Sequence, residues 1–431
     1  MFDFDGPERF FIDGKFKQYI LEEEVSDEYD LIHIPQIGFY AFNDVWSIID
    51  EESIRHYCKM LLENKYKSAY VNEVIKGLKD QFYVSINELN KNRNRIVLLN
   101  GTLDISDWCN PIFYEDKFFR DDYSTIQLKC NYNKDAKSIE FNKFLNSIFN
   151  KDEELINLIS EIFGYCLTSN VKMESSFIFY GSGSNGKSVL IKILQKLLTN
   201  ENVCSVNINE LNKPFSRSSL FNKLVNICSE LEDRITSTSY FKQIVSGDLV
   251  SAQFKYKDEF VFQPFCKMIF ALNNLPIARD KSNGFYRRLI IVPFENTYKG
   301  NNKDIFLIDK LSSELDGVLQ FALEGLKRLK INNEFTYSKK IEKLKKIYKE
   351  SNNPIEIFID EYIELSNDDC ISCKDLYKKY QNFCTENGHK GIYNNANFGK
   401  EILEILPSAT KNRMRIKDKR EYVYQGVKLI Y

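Results

Sequence analysis

The sequence predicts an α/β protein: a nucleotide-binding core with a parallel sheet, a mixed, largely helical region before it and a small helix-and-hairpin domain after it. Three observations carry this. The run Gly181-Ser182-Gly183-Ser184-Asn185-Gly186-Lys187-Ser188 follows an apolar stretch at 177–180 and precedes Leu190, Ile193, Leu194 and Leu197 at helical spacing. That is the strand, loop and helix setting of a phosphate-binding loop. Residues 172–300 alternate helical patterns with short, uninterrupted apolar runs at 224–228, 267–272 and 289–292, as central parallel strands and their crossovers do. Helical patterns near 355–364, 374–386 and 396–404 lead into a basic hairpin at 411–431, the order of a winged helix.

The loop dictates its own chemistry. Glycines let the backbone curl so that successive N–H groups converge on phosphate oxygens. The following helix points its N-terminus at the same place. Gly181, Ser182, Gly183, Ser184, Asn185, Gly186, Lys187, Ser188 and Val189 are therefore the candidate ATP contacts. Lys187 is expected against the β- and γ-phosphates, and the Ser188 hydroxyl on Mg²⁺. A functionless glycine-rich turn would not need a strand before it and a helix after it.

Composition bounds the rest. A chain of 431 residues has room for about two to four cores. With a net charge of -2, any basic partner-binding face must be local. The ten cysteines are scattered, several in apolar runs (Cys166, Cys228, Cys266), as reduced core cysteines are. Cys370-x-x-Cys373 is the one close pair, and with three histidines in all (His33, His56, His389) it lacks the partners a zinc site needs. The acidic start, Met1 to Asp5, has no apolar leader, and no run reaches the roughly 18 residues of a membrane span. A cytoplasmic protein without membrane contact is expected.

In chain order, 1–136 reads as the N-terminal domain. A helix is expected over about 47–64, and Val71, Val74, Ile75, Leu78 and Phe82 form a second helical stripe. Residues 96–99 and 102–105 flank Asn100-Gly101, predicting a hairpin with Asn-Gly as its tight turn. Asp3 and Asp5 read as a terminal acidic turn, with too little chain around them for a metal-binding domain. Over 137–171 two amphipathic helices follow, one burying Phe141, Phe144, Leu145, Ile148 and Phe149, the other Leu155, Ile159, Ile162, Phe163 and Cys166. Their aromatic stripe is a packing surface between helices or between subunits. The nucleotide core spans 172–302. Residues 303–353 are helical, with Lys339, Lys340, Lys343, Lys345, Lys346 and Lys349 around Ile341, Leu344, Ile347 and Tyr348, which reads as a solvated face. Asn352-Asn353-Pro354 ends that helix, and 354–431 forms the C-terminal domain.

Further residues carry chemistry. The run 224–228 ends in Ser229-Glu230-Leu231-Glu232-Asp233. Carboxylates at the carboxyl end of a strand beside a phosphate loop suit Mg²⁺ and the attacking water. Glu230 takes that place, with Glu232 as the second acid and Asp233 as its alternative. The run 267–272 ends at Asn273, an amide able to orient water and sense hydrolysis. Arg287-Arg288 precede the last strand. Arginine stabilises charge on a transferring phosphoryl, and a neighbouring subunit's nucleotide is the natural target. Residues 252–262 suggest a hairpin tipped by Lys255, Tyr256 and Lys257. It either grips a single strand by phosphate contact and stacking or is exposed without a ligand. Lys411, Arg413, Arg415 and Lys417 fall at alternate positions, on one face of a strand.

Taken in order, Gly-x-x-x-Asn-Gly-Lys-Ser, the Glu-bearing strand, Lys242 with Ser246-Gly247-Asp248, the lysine hairpin, the Asn strand tip and the Arg-Arg pair resemble superfamily 3 helicases. The likeness is to the helicase half of phage, plasmid and poxvirus primase-helicases. It spans most of the chain: Leu98-Leu99-Asn100-Gly101-Thr102-Leu103 and the two helices at 138–170 resemble the N-terminal helicase-associated domain, and Phe358-Ile359 onward the C-terminal winged helix. The resemblance implies an AAA+ core with ATP hydrolysed between subunits of a homo-hexamer. Lys187, Ser188 with Mg²⁺ and Glu230 would act in cis, Asn273 as sensor 1, and Arg287 or Arg288 as a finger in trans. The lysine hairpin would track single-stranded DNA in a central channel, and the winged helix would bind duplex or origin DNA. Long members of the family carry a primase ahead of the helicase. This chain has no room for one, so a stand-alone helicase served by a separate primase is expected. Glu-Leu-Glu in place of adjacent acids leaves the water-polarising carboxylate open. The expected function is ATP-driven unwinding for a phage, plasmid or genomic island; the alternative is an origin-binding initiator that melts DNA without processive unwinding. A non-helicase ATPase leaves the lysine hairpin unexplained.

Overall fold

The computed structural model describes residues 6–298, 304–387, 392–416 and 419–430. Its centre is a five-stranded sheet of β1 (Ser176–Tyr180), β2 (Val203–Cys204), β3 (Val225–Cys228), β4 (Lys267–Leu272) and β5 (Leu289–Pro293), in spatial order β2-β3-β4-β1-β5. Every pairing in it is parallel. β3 and β4 are buried along their whole length, which is why they read as continuous apolar runs. β2 escapes the sequence reading because two residues carry no periodicity. β4 opens on a buried lysine: the Lys267 ammonium donates to the Thr168 carbonyl and lies 4.9 Å from the Tyr165 ring, and burial pulls its pKa down to about 7.

One side of the sheet is covered by the helix Lys187–Leu198, the two amphipathic helices Ile139–Ile148 and Glu153–Cys166, and the helix Leu315–Asn332. The aromatic stripe therefore packs within the chain. Phe141 meets Phe321 edge-on at 5.3 Å, and Phe149 lies 5.1 Å from Phe294 at the end of β5. This places the Ile139–Ile148 helix directly under the phosphate loop.

The N-terminal region packs the helices Gln18–Glu28, Glu51–Leu62 and Ser68–Gln81 around Leu21, Val25, Ile54, Val74 and Leu78. A three-stranded antiparallel sheet, Leu31–Ile34, Gly38–Asn43 and Val45–Ile49, lies beside them. The helix expected from 47 starts at Glu51 instead, because 45–49 pairs as a strand and the Asp50 carboxylate caps the helix at the Glu52 N–H. The expected hairpin forms, but Leu98 pairs with Gly101. The tight turn is thus Leu99-Asn100, and Gly101 sits in the ladder, where a Cβ would fall 2.1 Å from the Tyr114 carbonyl of a third strand, Ile112–Glu115.

At the C-terminal end come the helix Pro354–Tyr362, the strand Ile363–Ser372, the helices Cys373–Glu386 and Asn395–Ile405, and the strands Thr410–Ile416 and Lys419–Leu429. The last strand lies between the other two. This unit has its own core, including Phe358, Leu376, Tyr380, Phe398 and Tyr424. Its first strand falls between the helical patterns read from the sequence, and its ladder shifts register between Leu365 and Cys370. Lys417, Asp3, Asp5 and His389 lie outside the described residues. Among the described residues no helix is long and apolar enough to cross a membrane.

Candidate functional site

The phosphate loop leaves β1 at Tyr180 and enters its helix at Lys187. Gly183 and Gly186 have φ of +95° and +89°, in the left-handed region that glycine occupies without strain. A Cβ at Gly186 would fall 2.6 Å from Ile148, whereas one at Gly183 would meet nothing within 4 Å. The loop is thus packed from below and open above. Asn185 is buried, and its amide donates to the Phe294 carbonyl at 3.2 Å. Its side chain therefore braces the loop against the end of β5, and Val189 likewise packs into the core. Ser182, Ser184 and Ser188 are exposed.

Lys187 is 5% exposed, and its ammonium donates to the Gly181 carbonyl and, at 3.2 Å, to Asn273 Oδ1. Two of its three protons are therefore used, one on the loop and one on the residue after β4. Burial lowers its pKa; a desolvated cation gains most from an incoming anion. The structure thus joins two residues predicted separately, Lys187 and Asn273. Strand register brings a third to the same edge: Cys228 is level with Phe270 and Leu272 with Tyr180, so Glu230 lies beside the end of β4. The side chains of Glu230 and Ser188 make no hydrogen bond among the described residues, which fits the oxygen ligands Mg²⁺ takes. Glu232 is engaged elsewhere, accepting from the Asn209 amide at 2.8 Å.

A cleft of about 600 Å³ opens over this edge, lined by Gly181, Ser182, Asn273, Asn274, Glu295 and, from the helix Lys339–Asn352, Lys340 and Lys343. Sequence reasoning took that helix face as solvated. Lys339, Lys340, Lys343 and Lys346 are exposed, as that reading has it; in addition Leu344 and Ile347 line the cleft with Lys340 and Lys343, and their i, i+3, i+4, i+7 grouping was the available signal. Lys340 is paired with Asp152 at 2.7 Å. Lys343 is exposed and has no ion-pair partner among the described residues.

Arg287 and Arg288 are not brought to this edge. They precede β5, whose Leu289 pairs with Ser176 at the start of β1, so about 13 Å of strand at ~3.3 Å per residue separates them from the loop. Arg288 has an 11% exposed side chain and donates to the Gly284 carbonyl and Ser246 Oγ, both at 2.6 Å. Arg287 is 58% exposed, its one ion pair among the described residues a 3.1 Å contact with Glu174.

The lysine hairpin consists of Val250–Gln253 and Glu259–Phe262, antiparallel. Val250, Ala252, Phe260 and Phe262 face inward, and buried Arg217 anchors the base through the Ser251 carbonyl at 2.6 Å. Tyr256 at the tip is 90% exposed, with the Lys255 ammonium 4.9 Å from its ring. In the C-terminal unit Lys411, Arg413 and Arg415 pair with Tyr424, Tyr422 and Arg420, on one face as predicted. Tyr422 is exposed between Lys411 and Arg413, whose charges lie 5.4 and 5.8 Å from its ring.

Comparison with known proteins bears on this arrangement. Residues 18–150 match the family described as "D5 N terminal like", residues 179–288 a family of unknown function, DUF5906, and residues 353–431 the RFX DNA-binding domain. A "Putative helicase" of Acanthamoeba polyphaga mimivirus is 27% identical over 262 residues, 57% of this chain and 26% of that protein. Primase D5 of Fowlpox virus is 25% identical over 269 residues, 57% of this chain and 33% of that protein. These matches support a likeness of this chain to D5-type primase-helicases. It spans a third or less of these curated relatives. The C-terminal region of NrS-1, at 12% identity, superimposes with a TM-score of 0.54 over 94% of this chain and 98% of that one, so the fold is shared across nearly the whole length.

The loop after Asn273 is tied outward in three steps. The Tyr348 hydroxyl donates to the Pro276 carbonyl at 2.7 Å, and the Ala278 N–H donates to Asn352 Oδ1 at 3.0 Å. Lys281 then lies 3.7 Å from the Tyr393 ring of the C-terminal unit, where burial draws its pKa down to about 8. No single-residue signal in the sequence marks this path.

Proposed function

We propose that this chain is an ATP-driven DNA helicase of the superfamily 3 type, with an AAA+ core that assembles into a ring and hydrolyses ATP between subunits. One observation carries the reading: Lys187 and Asn273 meet at one edge of the sheet, while Arg287 stands exposed at the other. Each copy then holds one half of a site that a second copy completes. The strand order β2-β3-β4-β1-β5 supports the AAA+ assignment.

In this reading Lys187 and the loop N–H groups hold the phosphates, and Asn273 senses the terminal one. Ser188 and Glu230 would hold Mg²⁺, which when bound neutralises phosphate charge. Glu230 is also placed to orient the attacking water. Arg287 is the finger, because Arg288 is spent inside its own subunit. Lys343 supplies a further cation over the cleft. Lys343→Ala should raise the KM for ATP about five-fold, the weight of roughly 1 kcal/mol for one charge-assisted contact. A KM within two-fold of wild type would remove it from the site.

Hydrolysis moves the hairpin, and with it Lys255, Tyr256 and Lys257, along a single strand in the ring's channel. Replacing Lys255 and Lys257 by alanine should weaken single-strand binding and flatten its salt dependence by about 0.7 log units per lost phosphate contact. An unchanged slope would leave the hairpin with no part in DNA contact.

The C-terminal unit has the helix and strand order of a winged helix. Its basic face and its match to a DNA-binding domain favour duplex DNA as its ligand. They also support a second reading, an initiator that binds an origin and melts it without translocating. ATP-dependent displacement of a long annealed strand from forked DNA decides between them: unwinding of hundreds of base pairs fits the helicase, local melting alone the initiator.

A further inference from the structure

One side of the exposed hairpin tip faces the N-terminal region. Lys257 forms one wall of a cleft of about 420 Å³ whose other wall is the N-terminal region, with His33, Phe39, Ile48, Glu51 and Lys79. A second contact, Arg93 to Gln263 at 3.0 Å, joins the same region to the hairpin base.

Two exposed tyrosines are neighbours of lining residues of this cleft. Tyr83 forms a parallel bridge with His33, and paired residues project to the same face, so Tyr83 stands beside His33. Its ring is 61% exposed. Tyr256 lies on the hairpin side, next to Lys257. The carboxylates at the cleft are already engaged. Asp50 caps its helix, and Glu51 is held by Lys79 at 2.7 Å and Arg55 at 2.8 Å. Lys257 has no ion-pair partner among the described residues. His33 is 8% exposed, and its Nδ1 is buried without a hydrogen-bond partner. Burial and the neighbouring Lys79 lower the His33 pKa. A merely solvated gap between two regions would account for neither the exposed rings nor the unpartnered nitrogen.

We propose that this cleft is a subsite for one nucleotide unit of single-stranded DNA, its base stacked on Tyr83 beside His33 and its phosphate on Lys257. The volume suits a ligand of that size, and an aromatic face with cations beside it is the sequence-tolerant mode of single-strand binding. The subsite rests on the reading of the hairpin as a DNA grip. It adds a stationary platform to which the moving hairpin hands the strand.

The test uses the whole chain and single-stranded oligonucleotides, with binding read by fluorescence anisotropy. Tyr83→Ala should weaken binding about ten-fold, as expected for one lost base stack, while Tyr83→Phe, which keeps the ring, should stay within two-fold. Oligonucleotides carrying 5-iododeoxyuridine should photo-crosslink to Tyr83. If Tyr83→Ala binds as wild type and no crosslink maps to Tyr83, while Lys255→Ala/Lys257→Ala binds weakly, the subsite is overturned and the hairpin reading stands. If both variants bind as wild type, both fall.

Discussion

Lys187→Ala should lower ATP turnover by at least about 10³-fold, because phosphoryl transfer is catalysed almost wholly by positioning and charge stabilisation. The Lys187 ammonium is buried, already aimed by the Gly181 carbonyl and Asn273, and lies at the base of an open loop. Its low exposure means that little water competes with a phosphate. The substitution also leaves Asn273 Oδ1 without its donor, so the variant tests the lysine and the sensor together. Asn273→Ala separates them: ATP binding should persist while hydrolysis falls, since the lysine keeps its Gly181 anchor. Steady-state turnover with a nucleotide-binding assay on both variants is the measurement. Turnover within ten-fold of wild type for Lys187→Ala would place the chemistry elsewhere.

Much of this edge was legible before any coordinates. Glycine spacing, an apolar strand and a helical stripe fix a phosphate loop locally, and parallel strands buried on both faces announce themselves as uninterrupted apolar runs. Asn273 and Glu230 follow because polar residues just past such runs must emerge at the carboxyl edge of one sheet. What could not be read depends on what an element faces. The helix Lys339–Asn352 has the same periodicity whether its lysines face open water or line a cleft. Packing against β5, with Tyr348 reaching Pro276, decides it. Nor does the adjacency of Arg287 and Arg288 disclose that one side chain is folded inward onto Ser246 and Gly284. The Asn100-Gly101 turn moved by one residue because a third strand needs the room at Gly101, a tertiary demand that outweighs local turn preference.

The opposite edge of the sheet yields the second large effect. Arg287→Ala should reduce turnover by about 10³-fold or more, the loss that follows removal of an arginine finger, with little change in melting temperature, because the side chain is more than half exposed. Arg288→Ala should instead lower stability by roughly 2–4 kcal/mol, since it leaves Ser246 and the Gly284 carbonyl without their donor in a nearly buried position. Those opposite signatures separate a residue that serves a neighbour from one that serves its own fold. A mixing experiment then addresses the neighbour itself. Neither Lys187→Ala nor Arg287→Ala subunits should hydrolyse ATP at an appreciable rate alone. In a ring of both, an interface pairing the intact lysine of one with the intact arginine of the other is complete. Random mixing in equal amounts makes about a quarter of the interfaces complete, because a heterologous, head-to-tail contact takes one half-site from each partner. Recovery of that order after mixing is the expected result. Activity no greater than the sum of the two separate variants would mean that Arg287 does not complete a partner's site, and the case for a ring would lose its chemical basis.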